Sequence, residues 1–160
     1  MTGINQFSAD IDKAFDQKVV QNFVEFHKAV ALDAFRKVTV DSRSVGFAHG
    51  SPVWSGSFRS GHNLSVDAPD FSPPTPVAAG ERWPDEPDQI IPAPPVSEAA
   101  MKLIALRPFR QVFIANAAPY ARKLEGGYSL KAPEGVYKVA AMSVIEKFKG
   151  GAFRLLRGMK

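Results

Sequence analysis

Cysteine is absent from the 160-residue sequence, and long apolar runs are absent as well. Without a thiol, the chain cannot form disulfides, bind a metal through thiolates or use a cysteine nucleophile, and this composition is typical of a reducing compartment. No segment holds the roughly 18 consecutive apolar residues of a membrane-spanning helix, and the first residues lack the pattern of a secretion signal. The sequence therefore predicts neither a membrane span nor a secretion signal.

Histidine is scarce and offers little chemistry. The three histidines are His27, His49 and His62, and no two have the four-residue spacing of a helical metal pair. A hydrolase triad could be drawn from Ser55, His62 and Asp67, but the segment lacks the Gly-x-Ser-x-Gly turn that exposes such a nucleophile. We therefore predict no metal site, and we interpret His27 as a structural or surface residue.

Motifs for phosphate and sugar chemistry are missing too. No Gly-x-x-x-x-Gly-Lys-Ser/Thr loop occurs, and the pair Gly126–Gly127 lacks the preceding strand and following helix of a dinucleotide loop. The most suggestive acids are Asp85, Glu86 and Asp88, and their Pro-rich surroundings give no rigid scaffold for two catalytic carboxylates. These segments therefore predict no cofactor site, and they give no support for a catalytic site.

What the chain does contain is apolar material for one core and an uneven distribution of charge. Apolar residues make up 45%, and the length suits a single domain over residues 1–160. The net charges of residues 1–66, 67–98 and 99–160 are +1, −6 and +9. Such segregation arises from solvated faces of unlike sign, or from a basic surface that binds nucleic acid or an acidic partner.

A long amphipathic helix is predicted from Phe7 to Val40, because apolar residues recur there at helical spacing without Gly or Pro. Ser8 is the predicted N-cap, with Asp10 and Asp12 in the first turn near the positive end of the helix dipole. The rest of the chain is short for covering such a helix. We therefore expect part of its apolar stripe to contact another subunit.

Shorter elements follow, and together they predict an α+β fold: a long N-terminal helix and a C-terminal helix packed on a small, mainly antiparallel β-sheet, with a Pro-rich arm. The arm spans about residues 69–96, where nine prolines and most of the acidic excess occur, and we expect it to reach a neighbouring subunit. The predicted elements are a strand at His62–Val66, a helix from Ser97 to Leu106, a strand around Val112–Ile114, a short helix from Pro119 to Leu124 or Glu125, and a helix beyond Pro133. The predicted inner face of the last helix holds Val136, Val139, Met142 or Ser143, and Ile145 or Phe148.

The stretch "PYARKLEGGYSLKAPEGVYKVA" and the upstream "SPVWSGSFRSGHNLSV" carry a family resemblance. They resemble segments of the neck and tail-completion proteins of long-tailed bacteriophages, the group that includes the lambda minor tail protein Z. In that group a strand ends in an Asn-x-x-x-Tyr-Ala turn, a Leu-Glu-x-Gly step follows, and an Ala-Pro-x-Gly turn leads into the C-terminal segment. The downstream matches are Asn116, Tyr120, Ala121, Leu124, Glu125, Gly127, Tyr128, Ser129, Ala132, Pro133 and Gly135.

The upstream segment is similar to the family's Pro-Val-x-Thr-Gly-x-Leu-x-x-Ser pattern. Ser55 stands where Thr is commoner, and Phe58 stands where Leu is commoner. The Pro-rich acidic segment has no counterpart in this pattern. The upstream matches are Pro52, Val53, Gly56, Phe58 and Ser60.

The resemblance implies a structural virion protein of the phage head–tail junction that is not an enzyme and that assembles in the host cytoplasm as a ring around the DNA channel. It would complete the tail or join it to the capsid connector, with neighbouring neck, connector and tail-terminator or tail-tube proteins as partners and genomic DNA passing through the channel. A homo-oligomeric hexamer is favoured, and a dodecamer is the alternative. A small basic nucleic-acid-binding accessory protein is the alternative function.

Roles for single residues follow from the same interpretation. Tyr120, Leu124 and Tyr128 are expected to pack as anchors, and Glu125 is expected to cap a local turn or to pair with a basic side chain. The basic residues expected to face DNA or an acidic partner are Lys147, Lys149, Arg154, Arg157 and Lys160.

Overall fold

The computed structural model describes residues 2–41, 51, 56–72 and 91–150. The elements, in chain order, are helix α1 (Thr2–Phe15), a π-helical turn (Asp16–Val20), α2 (Gln21–Thr39), α3 (Ser57–Ser60), β1 (His62–Val66), α4 (Val96–Lys102), β2 (Val112–Asn116), α5 (Ala121–Glu125) and α6 (Tyr137–Phe148). The middle of the predicted arm (73–90), Pro52 to Ser55, and the C-terminal tail with Arg154, Arg157 and Lys160 lie outside the described residues. None of the described helices is both long and apolar enough to cross a membrane.

The long N-terminal helix is confirmed, with two differences from its predicted form. The backbone remains right-handed and helical through the junctions at Phe15, Val20 and Gln21, but five residues between α1 and α2 form a wider π-helical turn. The prediction that Ser8 is the N-cap is wrong, because the helix already begins at Thr2 and Ser8 lies within it.

The sheet has two antiparallel strands, β1 and β2, in a register that pairs Leu64 with Ile114 and His62 with Asn116. Both strands lie where their alternating or buried apolar residues predicted them. Leu64 is fully buried against the helical layer, whereas Asn63 and Ser65 are partly exposed. The sheet therefore has one face covered by helices and one face that contacts water.

The helix predicted from Ser97 to Leu106 ends earlier, at Lys102. Tight turns follow, in which Leu103 donates to the carbonyl of Ala100 and Leu106 donates to that of Leu103. These turns place both leucines in the core. The gain from burying two large apolar side chains explains why tertiary packing outweighs the helical preference of this segment.

Helix α2 joins two apolar clusters and is the central element of the fold. On one side Ala31 and Phe35 pack with Leu64, Leu103 and other residues of β1 and α4. Further along, Val38 packs with Phe58 and with side chains from the stretch that leads into α6. The arrangement is the predicted α+β fold, with α2 and the C-terminal helix packed around a small antiparallel sheet.

The face that helix α6 presents to the core only partly matches the predicted one. Ala140 and Val144 are buried, and Phe148 contacts the ring of Phe26 on α2. The prediction left a choice between Met142 and Ser143 and between Ile145 and Phe148; Met142 and Ile145 are exposed, whereas Ser143 and Phe148 are partly buried. Val136, which the prediction also named, is fully buried. Apolar residues occupy more than one side of this helix, so periodicity alone could not decide which side faces inward.

Candidate functional site

Glu125 connects the end of α5 to the start of α6. Its Oε2 accepts hydrogen bonds from the backbone N–H groups of Val136 (2.8 Å) and Tyr137 (2.9 Å), and its Oε1 accepts one from Lys138 (2.9 Å). These N–H groups have no partner within the helix, and the negative carboxylate lies at the positive end of the helix dipole. The expectation of a local cap or a basic partner was therefore incomplete, because Glu125 caps a helix eleven residues away.

Two glycines shape the connection between these helices. Gly127 (φ +82°) ends α5 in a Schellman arrangement: Tyr128 donates to the carbonyl of Lys123, and Gly127 donates to that of Leu124. Gly135 (φ +83°) lies against Glu125 so closely that a Cβ would come within 2.9 Å of the carboxyl carbon. Both positions need glycine because the backbone is left-handed and has no room for a side chain.

Asn116 lies at the other end of the downstream motif, where it fixes the turn after β2. It ends β2, and its Oδ1 accepts a hydrogen bond from the backbone N–H of Ala118 (2.8 Å), which turns the chain after the strand. Its Nδ2 donates to the carbonyl oxygen of Phe58 (2.7 Å) in helix α3. Asn116 therefore connects the downstream motif to the upstream motif, 58 residues earlier in the chain.

The two motifs also meet through packed rings. Phe58 is buried, and its ring lies 6.2 Å from that of Tyr120 and 5.0 Å from that of His62. Leu124 and Ala121 pack on the same cluster, so the prediction that Tyr120 and Leu124 are anchors is confirmed. The corresponding prediction for Tyr128 is wrong, because its side chain is 84% exposed. It follows the left-handed Gly127, which turns the chain away from the cluster.

Gly56 in the upstream motif supports the return of the Pro-rich arm. Its φ is +84°, and a Cβ there would lie 2.1 Å from the carbonyl oxygen of Ile91. The side chain of Asn63 holds the beginning of the arm by donating to the carbonyl oxygens of Asp70 and Ser72. Both described ends of the arm are thus attached near α3 and β1.

His62 is the feature of this region that motif reasoning missed. It is 1% exposed, and its Nδ1 lies 3.1 Å from the carbonyl oxygen of Arg59 and 3.0 Å from Nδ2 of Asn116. Its Nε2 and the Tyr137 hydroxyl are buried without a hydrogen-bond partner among the described residues. His62 lies two residues before Leu64 and on the same side of β1, but this spacing alone gives no sign of a buried polar cluster.

Burial changes the acid–base behaviour of this cluster. It lowers the pKa of His62 from 6.5 to about 4, although hydrogen bonds with the carbonyls of Arg59 and Phe58 act in the opposite direction. It also raises the pKa of Tyr137, with a smaller contribution from the negative charge of Glu125. His62 and Tyr137 are therefore both neutral at neutral pH.

We predict that stability falls as the pH is lowered from about 6.5 to about 4. In this window the unfolded chain protonates His62 while the folded chain does not, so acid favours unfolding by up to roughly 3 kcal/mol. Urea unfolding at several pH values, compared with a His62→Gln variant, measures this contribution. Equal pH slopes for the two proteins would contradict it.

The arrangement of acid and base groups does not form the triad considered above. His62 begins β1 and Asp67 follows its last residue, so roughly 13 Å of extended strand separates them at about 3.3 Å per residue. Asp67 pairs instead with Arg110, and Ser55 lies outside the described residues. No group of three or more His, Asp or Glu among the described residues is arranged to hold a metal ion.

A small cavity lies beside His62, between β1 and the start of α4. Its volume is about 30 Å³, and its lining includes Phe35, Asn63, Pro95 and Lys102. This is room for one or two water molecules, not for an organic substrate.

Two of the five predicted basic residues are described, and both form ion pairs within the chain. Lys147 pairs with Asp33 on α2, and Lys149 pairs with Glu146 on α6. The ammonium of Lys147 also lies 5.2 Å from the ring centre of Phe148. Lys147 therefore contributes to the packing of α6 against α2.

Comparison of the chain with protein-family models, with curated proteins and with solved structures found no significant match.

Proposed function

We propose that this chain is a structural protein of the bacteriophage virion, located at the head–tail junction, where it forms a ring around the DNA channel. In this role it completes the tail or joins it to the capsid connector, and it contacts neighbouring neck and tail-terminator or tail-tube proteins. A hexamer is favoured because tails have sixfold symmetry, and a dodecamer is the alternative.

The observation that carries the proposal is the meeting of the two motifs that resemble the neck and tail-completion family. They are about 50 residues apart in sequence, yet Asn116 is hydrogen-bonded to the Phe58 carbonyl and Tyr120 packs near the Phe58 ring. These contacts give a physical reason for the two motifs to occur together in one chain. The described motif residues connect helices, turns and strand ends, as expected for a rigid assembly unit.

The exposed apolar residues support assembly. Phe7, Ile11 and Phe15 form a stripe along α1, and each is more than half exposed. Solvent exposure of several large side chains on one face is typical of a protein-interaction surface. A ring provides the partner that such a stripe needs.

Light scattering coupled to size-exclusion chromatography tests this proposal against the nucleic-acid-binding alternative. We expect a molar mass that rises above the monomer as protein concentration increases, because ring contacts obey mass action. A stable monomer that binds free DNA tightly at about 150 mM salt, with the steep salt dependence of many phosphate contacts, would contradict the proposal.

The Pro-rich arm gives a second test. The ends of the arm are anchored by Asn63 and Gly56, so residues 73–90 can be replaced by a short Gly/Ser linker without removing those anchors. We expect unchanged folding, measured by circular dichroism and thermal unfolding, and a loss of particle assembly, measured by infectivity. Intact infectivity would show that the arm is not a contact between subunits.

A further inference from the structure

Helix α1 from Gln6 onward and the first three residues of the π-helical turn are exposed along their whole length. Every side chain from Gln6 to Lys18 is exposed, including the three large apolar residues of the stripe, which are 51% to 67% exposed. At four-residue spacing Phe7, Ile11 and Phe15 share one face of the helix. Several large apolar side chains exposed on one helix face are typical of an interaction surface, so we expect a partner to cover this face of α1.

A second exposed apolar face lies on α6. Its inner side is occupied by α2, and its outer side carries Met142 and Ile145, which are 62% and 67% exposed. Lys138 and Lys149 lie on the same side of the helix as Met142 and Ile145, within about 40° around its axis. Along the axis, Lys138 is near the start of this face and Lys149 is near its end. The outer face of α6 is therefore apolar at its centre, with Lys138 at its start and the Lys149–Glu146 ion pair at its end.

The charges beside the two faces are complementary. Asp10 and Asp12 lie on either side of the α1 stripe, about 60° from its nearest apolar residues. Pairing of two α1 helices would bring these carboxylates together along one seam, whereas docking on α6 would bring them towards Lys138. Opposite charges at the edges of an apolar contact favour the second arrangement and disfavour the first.

The α6 helix of the same chain is not a suitable partner for α1. Along α2, the start of α6 packs near Val38 and its end packs near Phe26. Helix α1 precedes α2 in the chain and extends the same helical axis past Phe26. It therefore runs beyond the end of α6. To reach the outer face of its own α6, the continuous helix would have to reverse direction at the π-helical turn.

We infer that α1 of one copy docks on the outer face of α6 of the next copy. The contact uses different surfaces on the two copies, and such a head-to-tail interface generates a ring when the rotation closes. The inference rests on the proposed ring and names the contact that builds it. The stripe of Phe7, Ile11 and Phe15 covers Met142 and Ile145, with the aspartates of one copy near Lys138 of the other.

Disulfide trapping tests this contact, and the natural chain contributes no competing thiol because it lacks cysteine. An Ile11→Cys variant and a Met142→Cys variant with different tags are mixed at high concentration and mildly oxidised. We expect a mixed covalent dimer, since a disulfide forms only when the two Cα atoms come within about 7 Å. Lys13→Cys is the matched control, because Lys13 lies about 160° from Ile11 around α1. We expect at least about tenfold less mixed dimer with it.

The other outcomes overturn the inference. A dominant dimer of Ile11→Cys with itself would indicate pairing of two α1 helices, and an intramolecular link in the double variant would indicate docking within one chain. No mixed dimer above the Lys13→Cys level, in a sample that light scattering shows to be oligomeric, would exclude this contact. That last result would leave the proposed virion function standing, because another surface would then build the ring.

A charge exchange provides a second readout. The double change Asp10→Lys and Asp12→Lys should weaken association at least about tenfold, and the combination with Lys138→Glu in the same chain should restore part of it. Equal weakening in the combined variant would contradict the proposed pairing of charges. Circular dichroism of each variant checks that α6 remains folded.

Discussion

Replacement of Gly127 by alanine is expected to lower the free energy of unfolding by roughly 2 to 4 kcal/mol. The residue has φ +82°, where a side chain is strained, and a Cβ would lie 2.4 Å from the carbonyl oxygen of Pro133. The obstructing atom belongs to the backbone, so it cannot rotate away. Relief would require a movement of the turn that holds Gly135 and the Glu125 carboxylate in place.

The neighbouring Gly126 is the matched control. Its φ is −75°, and the nearest atom to an added Cβ, the Arg122 carbonyl oxygen, is 3.4 Å away. We therefore expect Gly126→Ala to be neutral or to stabilise by up to about 1 kcal/mol, because alanine restricts the unfolded chain. Urea unfolding of both variants measures the difference. Equal stabilities of the two variants would contradict the described turn.

Replacement of Glu125 by alanine is expected to cost roughly 2 to 3 kcal/mol of stability. The change removes three hydrogen bonds to a charged acceptor and leaves N–H groups at the start of α6 unpartnered, including that of the fully buried Val136. A lost cap costs about 1 to 2 kcal/mol, and an unsatisfied buried donor adds to this cost. Glu125→Gln should cost less, because the amide retains one acceptor oxygen.

Glu134→Ala is the control for Glu125, since Glu134 is an exposed carboxylate in the same connection. It should change the free energy of unfolding by less than about 0.5 kcal/mol. Hydrogen exchange gives a local readout: in Glu125→Ala the amides at the start of α6 should lose protection before those of β1 and β2. Unchanged protection at Val136 and Tyr137 would show that the carboxylate does not hold this helix end.

Regular periodicity predicted the larger elements of the fold. The apolar repeat of the first helix and the alternation in His62–Val66 are local signals, and both elements formed where these signals indicated. The face of α6 was not predictable in this way, because Met142 and Val144 are both apolar and only the position of α2 decides which is buried. Ser8 failed as a cap because the residues before it also adopt a helix.

The hydrogen bonds and the burial of the motif residues could be predicted only in part from the sequence. A glycine at position 127 and an asparagine at the end of a strand indicate turns, and both prove to be turn residues. The partners of Glu125, eleven to thirteen residues away, depend on the path of the chain through Gly135. The burial of His62 likewise depends on Phe58 and Tyr137, which tertiary packing brings to its ring.

A cryo-EM reconstruction of the head–tail junction, in particles of a phage that encodes this chain, tests the central claim most directly. We predict a closed ring of copies around the DNA channel between the capsid connector and the tail, with α1 of each copy against α6 of its neighbour. Complete, infectious particles that lack this chain at the neck and in the tail would contradict the account.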